Sequence, residues 1–140
     1  IHAVDVSPAM LEQLAQKTEL AGKVQIHCQD LQVTPLGQPV DLVVSAMALH
    51  HVADTRGLLT TLYAHLRPGG QVAIADLDAE DGTFHPPAAE GVHHHGFDRD
   101  ELARLMQEAG FEQVDIHTAC DIQREARAYR VFLAVGSRPA

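Results

Sequence analysis

Residues 1–11, IHAVDVSPAML, decide the fold of this chain. The first six residues have the apolar character of a buried β-strand, and Asp5 lies where that strand should end. Ser7 and Pro8 then favour a helix start, with a hydroxyl at the N-cap and a proline at the first helical position. A strand that ends in an acidic residue and leads into a helix is typical of nucleotide-binding sheets, in which the carboxylate holds a ribose.

The rest of the chain alternates apolar runs with helical patterns, which predicts an α/β domain with a largely parallel sheet. The predicted strands are 2–6, 24–28, 40–49, 71–77, 111–119 and 126–136, and the predicted helices are 8–17, 55–66 and 99–109. The unbroken apolar run at 40–49 predicts a strand that is covered on both faces. The last two strands have no helix between them, which predicts an antiparallel pair. The aperiodic residues 78–97 predict a long loop, and Arg67 to Gly70 a turn.

Composition limits the class of function. The chain has 140 residues, which is one domain or less. Its net charge of −9 with only two lysines argues against nucleic acid as a partner. No apolar run approaches the roughly 18 residues of a membrane span. We therefore expect no membrane partner. The two cysteines lie far apart without metal-type spacing, so we expect a reducing, cytoplasmic compartment.

Four stretches of the chain share their order with a known family. AVDVSPAML (3–11), CQDL (28–31), VDLVVSAMALHHV (40–52) and LRPGGQVAIADL (66–77) resemble the class I S-adenosylmethionine-dependent methyltransferases. The resemblance implies a Rossmann-like, seven-stranded, mostly parallel sheet with one antiparallel strand near the C-terminus. It also implies that S-adenosyl-L-methionine lies across the carboxyl ends of the first strands. The activity it implies is methyl transfer to a small-molecule acceptor.

The chain departs from the family pattern before Ile1, where the first strand and its glycine-rich loop are lacking. In the family that strand lies between two others, so its removal deprives both neighbours of a ladder of hydrogen bonds. We therefore expect residues 1–140 to be the C-terminal portion of a single methyltransferase domain, inactive as a fragment. Strand re-pairing, or a strand swap in a homodimer, would fill the gap.

The acid at the end of the first strand is the first cofactor candidate. The resemblance assigns Asp5, with Val6 beside it, to the ribose hydroxyls, which a carboxylate binds through strong charge-assisted hydrogen bonds. The alternative is an acid that favours the helix dipole. An NAD-dependent oxidoreductase would use an aspartate in the same way, although the SPAML and LRPGG stretches speak against that class.

Five further residues are cofactor candidates through the resemblance. Asp30 would accept a hydrogen bond from the adenine amino group with Leu31 nearby, although aspartate also caps turns in loops. Met10 would pack near the adenine, and a core position on its helix explains it equally well. Ser45 and Ala46 would line the methionine part of the cofactor.

Histidines supply the remaining candidates. His50 and His51 follow the third strand at the expected mouth of the site, where an imidazole can act as general base or support the loop. His85, His93 and His95 are weak candidates for metal ligands. Consecutive histidines on an extended chain point to opposite sides, so residues 93–95 cannot all reach one ion. The open alternatives are hydrogen bonds to a substrate, a pH-sensitive loop, a metal- or ligand-binding module, or a non-catalytic fragment.

Overall fold

The computed structural model describes residues 1–140, which form two compact units, Ile1–Gly37 and Gln38–Ala140. The strands form two separate sheets, a pair in the first unit and a four-stranded sheet in the second. Both units combine helices with parallel strands, so the predicted α/β class is confirmed. None of the helices has the length and apolar composition that crossing a bilayer would require.

The first unit is one strand–helix–strand element. It consists of β1 (His2–Asp5), α1 (Pro8–Ala15), a 3₁₀ turn (Thr18–Leu20) and β2 (Gln25–Cys28). The helix begins as predicted, because the Ser7 side chain accepts a hydrogen bond from the Met10 backbone N–H. Leu11 is the buried residue of this helix, whereas Met10 is 55% exposed. The core position suggested for Met10 is therefore wrong.

The second unit contains the four-stranded sheet and two longer helices. Its elements are β3 (Val40–Ala46), a 3₁₀ turn (Leu49–His51), α2 (Thr55–His65), β4 (Leu66–Leu77), α3 (Arg99–Ala109), β5 (Glu112–Arg124) and β6 (Arg127–Ser137). The strand order is β3-β4-β6-β5. β3 and β4 are parallel, and β6 runs antiparallel to both β4 and β5. The hairpin between β5 and β6 leaves only two residues outside the strands, so the last strand reverses beside its predecessor.

β3 differs from its prediction in length and in burial. It ends at Ala46 rather than at residue 49, because the 3₁₀ turn Leu49–His51 follows. Leu42 and Val44 are 55% and 69% exposed, so the prediction that both faces are covered is wrong. β3 is an edge strand that pairs only with β4, and its apolar pattern shows what it is able to bury rather than what packs on it.

The predicted turn at 67–70 lies inside β4 as a bulge. Val40 pairs with Leu66 and Leu42 pairs with Gln71, so four residues of β4 stand opposite one residue of β3. Gly70 is required there, because a Cβ atom would come within 3.0 Å of a backbone oxygen of β3. Residues 67–70 therefore form a bulge within β4, and the prediction of a turn that precedes the strand is wrong.

α3 has the bounds that its end residues predict. The Asp98 side chain caps its first turn by accepting a hydrogen bond from the Glu101 N–H, and Gly110 ends it in the left-handed conformation at φ +110°. The core of the second unit lies between α2, α3 and the sheet. Its most buried apolar side chains are Leu59, Val72, Ile74, Leu102, Met106, Phe132 and Ala134.

Candidate functional site

A buried aspartate holds the first histidine of the candidate site. Asp76 lies near the end of β4 with 0% exposure, and its Oδ1 atom is 2.8 Å from Nδ1 of His50. The same carboxylate accepts the backbone N–H of His50 at 3.0 Å and that of Leu77 at 2.7 Å. Because a carboxylate only accepts hydrogen bonds, Nδ1 of His50 carries the proton and Nε2 keeps a lone pair.

Two more imidazoles meet His50. The Nε2 atoms of His50 and His85 are 3.1 Å apart. The ring centroids of His50 and His51 are separated by 4.1 Å. One nitrogen from each of the three rings lies within 4.8 Å of the others. We call His50, His51 and His85 the imidazole cluster; its members are buried, exposed and half-buried, respectively.

The second histidine of the cluster has a fixed tautomer as well. Nδ1 of His51 lies 2.8 Å from the carbonyl oxygen of Gly91. A carbonyl oxygen only accepts, so Nδ1 of His51 donates and its Nε2 atom keeps a lone pair. Two of the three imidazoles therefore present an unprotonated Nε2.

The electrostatics of the cluster disfavour a proton on its third member. Burial lowers the pKa of His85, and the neighbouring His50 and His51 rings lower it further, because a proton on either would repel one on His85. Among the other charged groups that act on this ring, Arg124 lowers the pKa and Glu80 raises it. His85 therefore keeps its neutral, ligand-competent form to a lower pH than an ordinary histidine.

Backbone hydrogen bonds place the long loop 78–97 over His50. The backbone N–H groups of His93 and His94 donate to the His50 carbonyl oxygen at 3.0 and 3.2 Å. Nε2 of His94 donates to the Val52 carbonyl oxygen at 2.9 Å. His85, 35 residues from His50 in sequence, lies in the same loop next to Phe84, which is buried with Leu77 and Tyr129.

The predicted metal candidates separate in the structure. His85 joins His50 and His51, whereas Nδ1 of His95 lies 3.6 Å from a carboxylate oxygen of Glu80, with the His95 side chain 61% exposed. His93 contributes its backbone to the loop rather than its ring to the cluster. A site made of His85, His93 and His95 together is therefore not what the structure contains, because the His95 ring faces Glu80 and only His85 of the three joins His50 and His51.

Sequence reasoning missed Asp76 as the partner of His50. The available signal was an acidic residue inside the otherwise apolar run QVAIADL. A carboxylate inside a central strand is costly to bury unless a hydrogen-bonding partner satisfies it.

The cofactor candidates of the first unit share one edge of its sheet. Asp5 ends β1 and pairs in register with Cys28, the last residue of β2, so Asp5 and Asp30 both lie at carboxyl ends of parallel strands. The Oδ1 atom of Asp5 accepts the backbone N–H of Ser7, and that of Asp30 accepts the backbone N–H of Gln32, both at 2.9 Å. Each carboxylate keeps Oδ2 for a ligand donor, so the residues fit a ribose and an adenine amino group.

The remaining candidates are placed as follows. Val6 and Met10 are exposed beyond the end of β1, at 67% and 55%, and Leu31 is half-buried after β2. Ser45 and Ala46 are the last two residues of β3 in the second unit.

An α/β domain with acids at the carboxyl ends of adjacent parallel strands defines a class of cofactor-binding proteins. Residues 1–116 match the family described as a methyltransferase domain. The chain belongs to this family, the S-adenosylmethionine-dependent methyltransferases of class I.

Known proteins similar to the chain have several acceptors in their names. The ubiquinone/menaquinone biosynthesis C-methyltransferase UbiE of Klebsiella pneumoniae is 24% identical over 147 residues, covering 84% of this chain and 58% of that protein. The tRNA 5-carboxymethoxyuridine methyltransferase of Escherichia coli K12 is 35% identical over 86 residues, covering 58% of this chain and 33% of that protein. The chain thus spans less than two thirds of these relatives.

A solved structure supports the fold. The N-methyltransferase NodS from Bradyrhizobium japonicum WM9, in complex with S-adenosyl-L-homocysteine, superposes with a TM-score of 0.75 at 18% identity. The superposition covers 99% of this chain and 66% of that one.

Proposed function

We propose that the whole protein transfers a methyl group from S-adenosyl-L-methionine to a small-molecule acceptor. Residues 1–140 would form part of its methyltransferase domain, since residues 1–116 match that family and the chain covers less than two thirds of the relatives above. The observation that carries this proposal is the pair of acids, Asp5 and Asp30, at the carboxyl ends of two parallel strands in a chain of this family. That edge is where open α/β sheets bind their ligands.

The cofactor, when bound, supplies an electrophilic methyl group on its sulfonium. In this proposal Asp5 accepts the ribose hydroxyls and Asp30 accepts the adenine amino group through Oδ2. The exposed side chains of Val6 and Met10 offer apolar surface to the adenine ring. Leu31, Ser45 and Ala46 stay as proposed contacts to the adenine and to the methionine part.

The imidazole cluster is the proposed acceptor site. His51 is exposed, and the Gly91 carbonyl oxygen holds its proton on Nδ1, so Nε2 is available to take a proton from an acceptor. His50 lies behind it, oriented by Asp76. A neutral imidazole with a free lone pair is the form in which histidine acts as a general base.

Charge favours a small acceptor over RNA. The chain has a net charge of −9 and only ten Lys and Arg residues, whereas binding a nucleic acid backbone requires a cationic surface. RNA, the acceptor in the name of one relative, remains a second acceptor class.

We also propose that the protein is cytoplasmic. This proposal rests only on the spacing of its two cysteines.

Cofactor binding tests the proposal. Titration calorimetry of the whole protein with S-adenosyl-L-homocysteine should show one site, and Asp5→Asn should bind about 10-fold or more weakly, since a hydrogen bond to a charged group contributes about 1.5–3 kcal/mol. Glu12→Gln removes an exposed carboxylate of α1 in the same unit and should bind like the parent. Equal affinities of the two variants, or no binding by the whole protein, would contradict the proposal.

A further inference from the structure

We propose that the imidazole cluster is a binding site for one divalent transition-metal ion, with Zn²⁺ as the ion it suits best. One nitrogen of each ring lies within 4.8 Å of the others, and we assign Nε2 of His50, His51 and His85 as the ligands, with the remaining position open to water or an acceptor oxygen. This goes beyond methyl transfer, which needs no metal; while the ion is bound, Nε2 of His51 is a ligand and does not act as the base proposed above.

The tautomers of two ligands are already set for a metal. Nδ1 of His50 donates to a carboxylate and Nδ1 of His51 donates to a carbonyl oxygen, so both lone pairs are on Nε2. Metal-bound histidines almost always donate their other N–H to such acceptors, which fixes the ring and raises its basicity. The His50–Asp76 pair is an arrangement of that kind, buried in the second unit.

The spacing of the nitrogens is close to what a tetrahedral ion needs. Two nitrogens bound to one Zn²⁺ at about 2.0–2.1 Å lie roughly 3.3 Å apart. Nε2 of His50 and of His85 are 3.1 Å apart, and the third nitrogen is within 4.8 Å of both. A shift of the exposed His51 side chain, together with the Gly91 carbonyl group that holds it, would bring its nitrogen in while Asp76 keeps His50 in place.

The third ligand must change its tautomer when a metal binds. Without metal, His85 donates Nε2–H to Nε2 of His50, because the Nδ1 atom of His50 already carries the proton of that ring. Metal binding moves the His85 proton to its Nδ1 atom by exchange with solvent, and Nε2 becomes a ligand. No net proton is released, and no redox change is involved.

Two buried carboxylates offset the charge of the ion. Asp76 contacts the cluster directly through His50. Glu80, whose side chain is 7% exposed, acts electrostatically on His85, and its buried Oε1 atom has no hydrogen-bond donor. An ion held by three neutral imidazoles is stabilised by negative charge of this kind in a low-dielectric surrounding.

A purely structural hydrogen-bonded cluster is the alternative. It explains the contact between His50 and His85, since one ring donates to the other. It gives no reason for a nitrogen of the third ring to lie within 4.8 Å of the other two. The two explanations differ in what they predict for metal binding.

Metal titration distinguishes them. The protein is stripped with a chelator and titrated with Zn²⁺ against a competing indicator, with Mg²⁺ as a negative control. One Zn²⁺ should bind, and Co²⁺ in its place should give the visible absorption of a tetrahedral site. His85→Ala and His51→Ala should weaken Zn²⁺ binding by about 100-fold or more, a loss beyond the 10–100-fold of an outer-shell change.

His93→Ala is the matched control, since it removes an exposed imidazole from the same loop and should bind Zn²⁺ within about 2-fold of the parent. Circular dichroism of each variant shows that it is folded. Absence of one tight Zn²⁺ site in the parent, or equal losses in His85→Ala and His93→Ala, would overturn the inference. Cofactor binding and its loss in Asp5→Asn do not depend on the metal, so the two proposals fail separately.

Discussion

His50 and Asp76 are 26 residues apart in the chain, and two hydrogen bonds join them in the structure. One carboxylate oxygen accepts the imidazole Nδ1–H at 2.8 Å and the other accepts the His50 backbone N–H at 3.0 Å. The two side chains are 2% and 0% exposed. A single aspartate thereby fixes both the turn after β3 and the direction of the ring that the turn carries.

Asp76→Asn should destabilise the chain by about 1–3 kcal/mol, because one amide oxygen cannot replace two carboxylate oxygens that accept three buried hydrogen bonds. Urea denaturation of parent and variant measures the change. Asp100→Asn alters an exposed carboxylate in the same way and should shift stability by about 0.5 kcal/mol or less. Equal midpoints for the two variants would contradict the role given to Asp76.

Asp76→Asn should also weaken Zn²⁺ binding by about 10–100-fold while the three imidazoles remain. The NH2 group of the asparagine can only donate a hydrogen bond. If it faces Nδ1 of His50, the ring no longer keeps its proton on Nδ1 and its lone pair on Nε2. The competition titration measures this effect at a temperature at which the variant is folded. An unchanged affinity would show that Asp76 has no part in the metal site.

Gly96 is expected to be the least replaceable glycine of the long loop. Its φ is +76°, and an added Cβ atom would lie 2.1 Å from the carbonyl oxygen of Asp78. Gly91 has a similar φ of +75°, but an added Cβ atom would meet no other atom there. A substitution at Gly91 therefore measures only the cost of placing a side chain on a left-handed backbone. Gly91→Ala should cost about 1–2 kcal/mol.

Gly96→Ala should cost more than Gly91→Ala by at least about 1–3 kcal/mol, since the loop must shift to relieve the clash. Thermal denaturation of both variants provides the comparison. If the two variants melt together, the close approach between Gly96 and Asp78 does not hold the loop.

The bounds of α3 were predictable because helix ends are encoded locally. Asp98 and Gly110 act through their own backbone neighbourhoods, one as an acceptor and one by its left-handed conformation, so no distant contact is needed. The end of β1 at Asp5 was predictable for the same reason, because the residues that follow it start a helix.

Asp98→Ala should therefore cost about 1 kcal/mol of stability, because the Glu101 N–H loses its acceptor. Asp98→Ser keeps an acceptor at the N-cap and should lose much less. Asp100→Ala, two positions further on, changes charge without removing the cap. Urea midpoints in which Asp98→Ala and Asp98→Ser coincide would show that the cap contributes nothing.

Burial and long-range contacts could not be predicted in this way. The apolar run of β3 shows what the strand can bury, but the exposure of Leu42 and Val44 depends on which strands pair beside it. Likewise, His85 reaches His50 through a loop whose residues 93 and 94 donate to the His50 carbonyl oxygen and whose Phe84 side chain is buried with Leu77 and Tyr129. The sequence shows the histidines as residue types, whereas their grouping depends on the path of the loop.

The lowered pKa of His85 predicts how stability depends on pH. Burial is the largest cause, followed by repulsion from a proton on His50 or His51, and these outweigh the attraction of Glu80. The unfolded chain then binds a proton at His85 with the ordinary pKa of 6.5, above the folded value. The stability due to neutral His85 is therefore fully present above pH 6.5 and is lost as pH falls through 6.5 towards the folded pKa.

His85→Gln should flatten the pH dependence of unfolding below pH 6.5, because glutamine does not titrate. Urea midpoints at several pH values, measured with a chelator present so that metal binding does not contribute, give the slopes for parent and variant. His93→Gln removes an exposed imidazole of the same loop and should retain the parent slope. The folded state disfavours a charged His85 because of the position of the ring in the cluster. If His85→Gln and the parent had the same slope, the ring would be solvated like an ordinary surface histidine and would lie outside the cluster.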